Sequence, residues 1–297
     1  MTSECMGTPT RPGRLVGMTP QTRITVPLAF IGGGNMASAI IGGAVEAGVL
    51  DAGRVVVADP HPEARDRFQH AVPDAAAALA WLAEHEASAG DGEMVLAIKP
   101  QMLAGVADAA REAISESPER IVTSILAGTT TAGVRTARGV DWPVVRVMPN
   151  TPARVRLGMT ALSLAPGTTD DDAQNATRLF AAVGEPIRID ESLMDAFTAA
   201  AGSGPAYLFY LAEAMTRGAT DLGMAPADAD RVVRQTLLGA STLLANAAEA
   251  PETLRAAVTS KAGTTAAATG VFDDADLHSV VAEAMRAVRD RGRELGR

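Results

Sequence analysis

Five short stretches carry residue types that can do chemistry. In "GGGNMA" (Gly32 to Ala37), Gly32, Gly34 and Ala37 occupy the three slots of G-x-G-x-x-G/A. In a strand-to-helix turn the first small residue allows a tight bend and the second lets backbone approach a pyrophosphate. The third lets helix and strand pack closely. N–H groups at the helix start, those of Asn35 and Met36 among them, then hold phosphates with help from the helix dipole. The bare pattern is also an ordinary tight turn. Here an apolar run precedes it and a helical pattern follows, and that context reads as dinucleotide binding. Asp59 closes the next apolar run, "RVVVADP". An acid there takes the ribose hydroxyls of NAD and repels a 2′-phosphate, or it caps the helix after Pro60. Arg65 is the residue that would meet a 2′-phosphate instead. The cofactor is therefore NADPH or NADH, with Asp59 tilting the reading toward NADH.

"AIKPQ" (Ala97 to Gln101) and "VRVMPNTPA" (Val145 to Ala153) end two further apolar runs, at the edge where open α/β sheets bind ligands. Lys99, Pro100 and Asn150 read as walls of a nicotinamide pocket, with Lys99 also a catalytic candidate. The bland readings are a surface lysine and an Asx-turn before Pro152. Late in the chain, "AVTSKAGTTAAA" (Ala257 to Ala268) holds Lys261, one of only two lysines. Its small residues, Ser260, Gly263, Thr264 and Thr265, let N–H groups converge on an anion at a helix start. A plain helix cap is the alternative. "GSGPAY" (Gly202 to Tyr207) fails G-x-S-x-G, so Ser203 is no nucleophile, and Pro205 reads as a kink between helices.

The elements that must position these residues alternate. Apolar strands "PLAFI", "RVVVA", "EMVLAI", "RIVTSIL", "PVVRVM", "MTALSL" and "PIRI" are separated by helical patterns, among them "HPEARDRFQ", "QMLAGVADAAREAI" and Asp170 to Val183. Such strands, covered on both faces, predict an α/β fold with a doubly wound parallel sheet. After Asp190 only helical patterns follow. The organisation read from this is a disordered tail over 1–24, a dinucleotide-binding domain over 25–190 and an all-helical domain over 191–297. Runs such as "AYLFYLAEAM" and "QTLLGASTLL" carry more apolar surface than one chain's helices cover, which predicts a homodimer or larger homo-oligomer.

Composition narrows the partners. The 297 residues are 47% hydrophobic and 3% aromatic, so the core is built from Ala, Val, Leu and Met. A net charge of −9 gives no basic footprint for nucleic acid or for an anionic membrane surface. Cys5 is the single cysteine, and His61, His70, His85 and His278 are scattered without ligand spacing, so no metal is expected. The tail has no apolar signal core, Met18 is a candidate start, and a reduced, cytoplasmic setting follows.

Five stretches in order, "FIGGGNMASAIIGG", "AIKPQ", "RVMPNTPA", "GSGPAY" and "TSKAGTT", make the chain from Val26 to about Gly296 resemble the pyrroline-5-carboxylate reductases. The resemblance implies a Rossmann-type domain followed by an all-helical dimerisation domain. It implies reduction of 1-pyrroline-5-carboxylate to L-proline with NADPH or NADH, the last step of proline biosynthesis. It also implies a Ser-Pro-Gly-Gly-(Thr/Ala)-Thr loop whose N–H groups bind the substrate carboxylate and whose last threonine approaches the ring nitrogen. Ser260, Gly263, Thr264 and Thr265 take those places, which makes Thr265 the second catalytic candidate. Lys261 and Ala262 depart from the pattern, standing where the family has proline and its first glycine. That departure keeps open a different cyclic imine, or a non-catalytic dinucleotide-binding paralogue. A hydroxy-acid reading is disfavoured because Ser192 to Ala201 contains no lysine.

Overall fold

A computed structural model describes residues 23–295. The 1–24 tail, with Cys5 and Met18, therefore falls almost wholly outside the described residues. Its last residue does not behave as tail: Ile24 is buried and its N–H donates to the Val49 carbonyl at 2.8 Å.

The chain runs β1 (Leu28–Ile31), α1 (Asn35–Glu46), β2 (Val55–Ala58), α2 (Pro62–Arg65), β3 (Ala71–Val72), α3 (Ala75–His85) and β4 (Glu93–Leu96). It continues through α4 (Leu103–Ala109), α5 (Arg111–Glu116), β5 (Val122–Ser124), α6 (Thr131–Arg138), β6 (Val144–Met148), β7 (Gly158–Leu164), α7 (Gln174–Ala181) and β8 (Gly184–Arg188). One sheet orders these strands β3-β2-β1-β4-β5-β6-β7-β8. Strands β1, β2 and β4 are buried at every position. Because side chains alternate along a strand, they feed two cores. Leu28, Phe30, Val55 and Val57 pack with α1 and α7 through Ile40, Ala44, Leu179 and Phe180. Ala29, Ile31, Val56 and Ala58 pack on the other face with α3 and α4 through Ala78, Leu79, Leu82 and Leu103.

Three features differ from the sequence reading. The sheet is parallel except that β7 runs antiparallel to β6. The segment between them carries only a short 3-10 stretch, Thr151–Val155, too little for the crossover that a parallel return requires. The helix read over "HPEARDRFQ" is a single turn, and the chain then adds the two-residue edge strand β3 against β2. The long helix read over 101–114 is interrupted at Ala110 into α4 and α5.

Helices follow: α8 (Met194–Phe197), a π-helical turn over Thr198–Gly202, α9 (Gly204–Asp221), α10 (Pro226–Asn246), α11 (Pro251–Ala257), α12 (Thr264–Asp274) and α13 (Leu277–Leu295). Among the described residues, one compact unit comprises 23–205 with 283–295, and the other comprises 206–282. By compactness, residues 191–205 group with the sheet and not with the later helices, and the reason is chemical. Glu191 accepts the Thr131 N–H at 2.7 Å and Arg146 Nη1 at 3.1 Å through Oε1, and the Thr131 hydroxyl at 2.8 Å through Oε2. Those bonds anchor the chain to α6 and β6 beyond the last strand. The second unit has almost no core of its own, since only Ala229 and Val233 are buried within it. Phe209 and Tyr210 on α9 and Leu238 and Leu243 on α10 are 69%, 76%, 62% and 71% exposed.

Candidate active site

The glycine turn has the geometry that its residues foretold. Gly32 has φ +106°, and a Cβ on it would lie 2.6 Å from the Ala97 carbonyl oxygen, so only glycine fits. Gly34 is the N-cap of α1, with open space where a side chain would stand. No side chain caps this helix, and its first turn holds no acid. The N–H groups of Asn35, Met36 and Ala37 therefore present an uncompensated positive helix end. This is the fit expected for a pyrophosphate.

Beside the turn, the carboxyl ends of β1, β2 and β4 enclose a mostly apolar cavity of about 250 Å³. Ile31, Ala58, Pro60, Ile98, Val106 and Ala109 are among its walls. It lies where the strand order reverses, between β1 and β4, the position at which open α/β sheets take dinucleotides. Asp59 lines it, but its carboxylate is already engaged. Oδ2 accepts the Gly33 N–H at 2.9 Å and Oδ1 accepts the His61 N–H at 3.0 Å. The helix cap considered for Asp59 is instead this local turn, and the N-cap of α2 is His61. Arg65 reaches back, donating from Nη1 to the carbonyls of Asp59 at 2.8 Å and Pro60 at 3.1 Å.

Lys99 and Pro100 follow β4, with Lys99 exposed at the start of the 3-10 turn Pro100–Met102. Asn150 is buried, and both ends of its side chain are occupied. Nδ2 donates to the Ala201 carbonyl at 3.0 Å, and Oδ1 accepts the Met159 N–H at 2.9 Å. No Asx-turn forms; Asn150 instead ties the end of β6 to β7 and to the π-helical turn. That turn closes with the Ser203 N–H donating to the Thr198 carbonyl at 2.8 Å, so the irregularity read from "GSGPAY" begins before Pro205. No local signal in the sequence marks this brace, because its partners lie 51 and 9 residues away.

In the second unit, the Gly263 N–H donates to the Ser260 carbonyl at 3.0 Å and closes a four-residue turn. Ala262 has φ +58°, whereas Lys261 is not among the residues with positive φ. A turn with positive φ only at its third residue is type II, whose favoured central pair is Pro-Gly. Lys261–Ala262 thus keeps the turn that the resemblance implies, at the cost of holding an alanine left-handed. A Cβ on Gly263 would collide with Ser260 Oγ and lie 3.1 Å from the Ser260 carbonyl oxygen, so a side chain there would require Ser260 to shift. It is the N-cap of α12, which again has no side-chain cap and no acid in its first turn. The N–H groups of Thr264, Thr265 and Ala266 are left for an anion. Ser260, Thr264 and Thr265 are exposed.

Among the described residues no cluster of His, Cys, Asp or Glu is placed to hold a metal, and no helix is long and apolar enough to cross a membrane.

The chain is 39% identical to a pyrroline-5-carboxylate reductase of Haemophilus influenzae over 271 residues, covering 90% of this chain and 97% of that protein. It is 37% identical to the Pseudomonas aeruginosa pyrroline-5-carboxylate reductase over 272 residues, covering 91% and 97%. The chain belongs to the pyrroline-5-carboxylate reductase family. A solved pyrroline-5-carboxylate reductase of Coxiella burnetii matches with a TM-score of 0.80 and 31% identity, covering 92% of this chain and all of that one. The Plasmodium falciparum pyrroline carboxylate reductase, solved with NADP bound, shares the fold at a TM-score of 0.79 and 22% identity, covering 93% and 100%. Residues 27–128 match the model described as NADP oxidoreductase, coenzyme F420-dependent, and residues 191–295 match pyrroline-5-carboxylate reductase dimerisation. As a family member the chain is an NAD(P)H-dependent oxidoreductase of Rossmann type with a C-terminal dimerisation domain. The uncovered apolar faces of α9 and α10 lie within the residues that match the dimerisation model.

Proposed function

We propose that this chain reduces 1-pyrroline-5-carboxylate to L-proline with NAD(P)H. The observation that carries the substrate is the Ser260–Gly263 turn. Despite the Lys261–Ala262 substitution it remains type II and delivers the uncapped start of α12, a fit for a carboxylate. When bound, the dihydronicotinamide supplies a hydride. The Gly32–Ala37 turn and the N-terminus of α1 hold the pyrophosphate, and Lys99, Pro100 and Asn150 shape the wall at the strand ends, Asn150 through the backbone it braces. A cyclic imine accepts hydride at its C=N carbon more readily once the nitrogen is protonated. Thr265 hydrogen-bonds and orients that nitrogen, and the proton comes from water because a threonine hydroxyl is too weak an acid to supply it. Most of the rate then arises from holding two reactants together with water excluded. The working form is a homodimer or larger homo-oligomer in a reduced cytoplasmic setting.

The test is oxidation of NADH and NADPH, each followed by absorbance, on addition of pyrroline-5-carboxylate, with proline identified as product. Thr265→Ala should lower kcat while leaving nucleotide affinity nearly unchanged. A folded protein that binds nucleotide but oxidises neither cofactor with this imine would overturn the assignment.

A further inference from the structure

The turn that delivers the start of α12 carries a charge that its geometry does not need. Lys261 takes the second position of the Ser260–Gly263 turn, and Gly263, the fourth, is the N-cap of α12. The second position of a type II turn favours proline, which sets φ and stiffens the turn. A lysine there gives up that stiffness and adds a cation. The first and fourth Cα atoms of a β-turn lie within about 7 Å of each other. The Lys261 backbone therefore stands beside the Thr264, Thr265 and Ala266 N–H groups.

Nothing in the chain neutralises this cation. Lys261 is exposed, and among the described residues it has no ion pair and no side-chain hydrogen bond. The sequence around it is cleared of acids. The protein has 35 Asp and Glu against 26 Lys and Arg, yet residues 253–272 contain no acid while holding Arg255 and Lys261. Arg255 is exposed too, and likewise without an ion pair among the described residues. The flanking acids are Glu252, in the first turn of α11, and Asp273 and Asp274, at the far end of α12. Helix α12 has 11 residues, and at 1.5 Å per residue its two ends stand about 16 Å apart. That exceeds the screening length of about 10 Å at 0.1 M salt, so Asp273 and Asp274 barely act at the turn.

We infer that Lys261 is a specificity-determining residue of the substrate site, whose ammonium draws in cyclic imines that carry a carboxylate. The inference rests on the reading of the Ser260–Gly263 turn as the carboxylate site. With a net charge of −9 the protein as a whole repels an anionic substrate, and a local cation offsets that repulsion at the one place where the anion must arrive. The two features divide the work. An ammonium on a flexible stem attracts without fixing an orientation, whereas the N–H groups of α12 are directional and hold the carboxylate in place. Lys261 therefore acts on capture, through KM, much more than on turnover.

The experiment is steady-state kinetics of the full chain with pyrroline-5-carboxylate, in wild type, Lys261→Pro and Lys261→Arg, at low salt and at 1 M salt. Lys261→Pro keeps a residue suited to the turn and removes the charge. At low salt it should raise the imine KM about two- to fivefold, the range for one exposed charge near an anion. Its kcat should change far less, and its KM for NAD(P)H should not rise. The difference from wild type should close at 1 M salt, where the screening length is about 3 Å. Lys261→Arg should behave as wild type. An unchanged imine KM in Lys261→Pro at low salt would overturn the inference and leave the proposed function standing. So would a loss that persists at 1 M salt, or one that falls equally on imine and nucleotide. No turnover of the imine by wild type would instead overturn the proposed function. If Lys261→Pro does not fold, Lys261→Gln makes the same comparison.

Discussion

Glu93 offers a sharp physical test of the fold. It opens β4, at the end of the sheet away from the cofactor edge, and is only 6% exposed. Burial pushes its carboxyl up from 4.5 to about 7. The Asn175 amide, donating at 2.6 Å from α7, opposes the shift; Asp172 adds to it and Arg178 counters it. Between those two values the native state holds a proton that the unfolded chain has released. Stability therefore falls as pH rises from about 4.5, and the loss is complete above about 7. At about 1.4 kcal/mol per pH unit, that window corresponds to roughly 3 kcal/mol, an upper bound because water and side-chain relaxation soften buried charges. Glu93→Gln keeps the acceptor for Asn175 and removes the titration. Its urea denaturation free energy should change little between about pH 5.5 and 8, against a wild type that loses up to roughly 2 kcal/mol. Both proteins are compared at one concentration, because assembly contributes to apparent stability. Wild-type and Glu93→Gln profiles that run parallel across this range would refute the reasoning, and kcat should be the same in both.

Two further substitutions probe the turns. Gly32→Ala forces a side chain onto the Ala97 carbonyl at φ +106° and should cost at least about 2 kcal/mol, with loss of NAD(P)H binding in a fluorescence titration. Ala262→Gly relieves a left-handed alanine, worth about 1–2 kcal/mol, against the added chain entropy of glycine in the unfolded state. The net gain should be about 0.5–1 kcal/mol by chemical denaturation, with substrate KM essentially unchanged.

Much of this protein is legible because much of it is local. A glycine that must adopt positive φ, a helix that must start, and a strand buried on both faces are decided within a few residues of chain. Gly32, Gly34 and the run Leu28–Ile31 therefore announced a dinucleotide fold, and the ordered motifs announced the family. Relations between distant segments were settled by tertiary structure. The short link after β6 turned β7 antiparallel, and pairing with β2 made Ala71–Val72 a strand. Asn150 became a brace because Ala201 and Met159 reach it in space. Lys261–Ala262 looked like a broken motif until a type II turn closed over it, since turn geometry depends on φ values that residue names only bias. Asp59 and Arg65 differ most between the two views. The sequence supplied both charges near the end of one strand, but only folding engaged the acid with the Gly33 and His61 N–H groups and the base with the Asp59 and Pro60 carbonyls, because those backbone donors and acceptors had first to be placed.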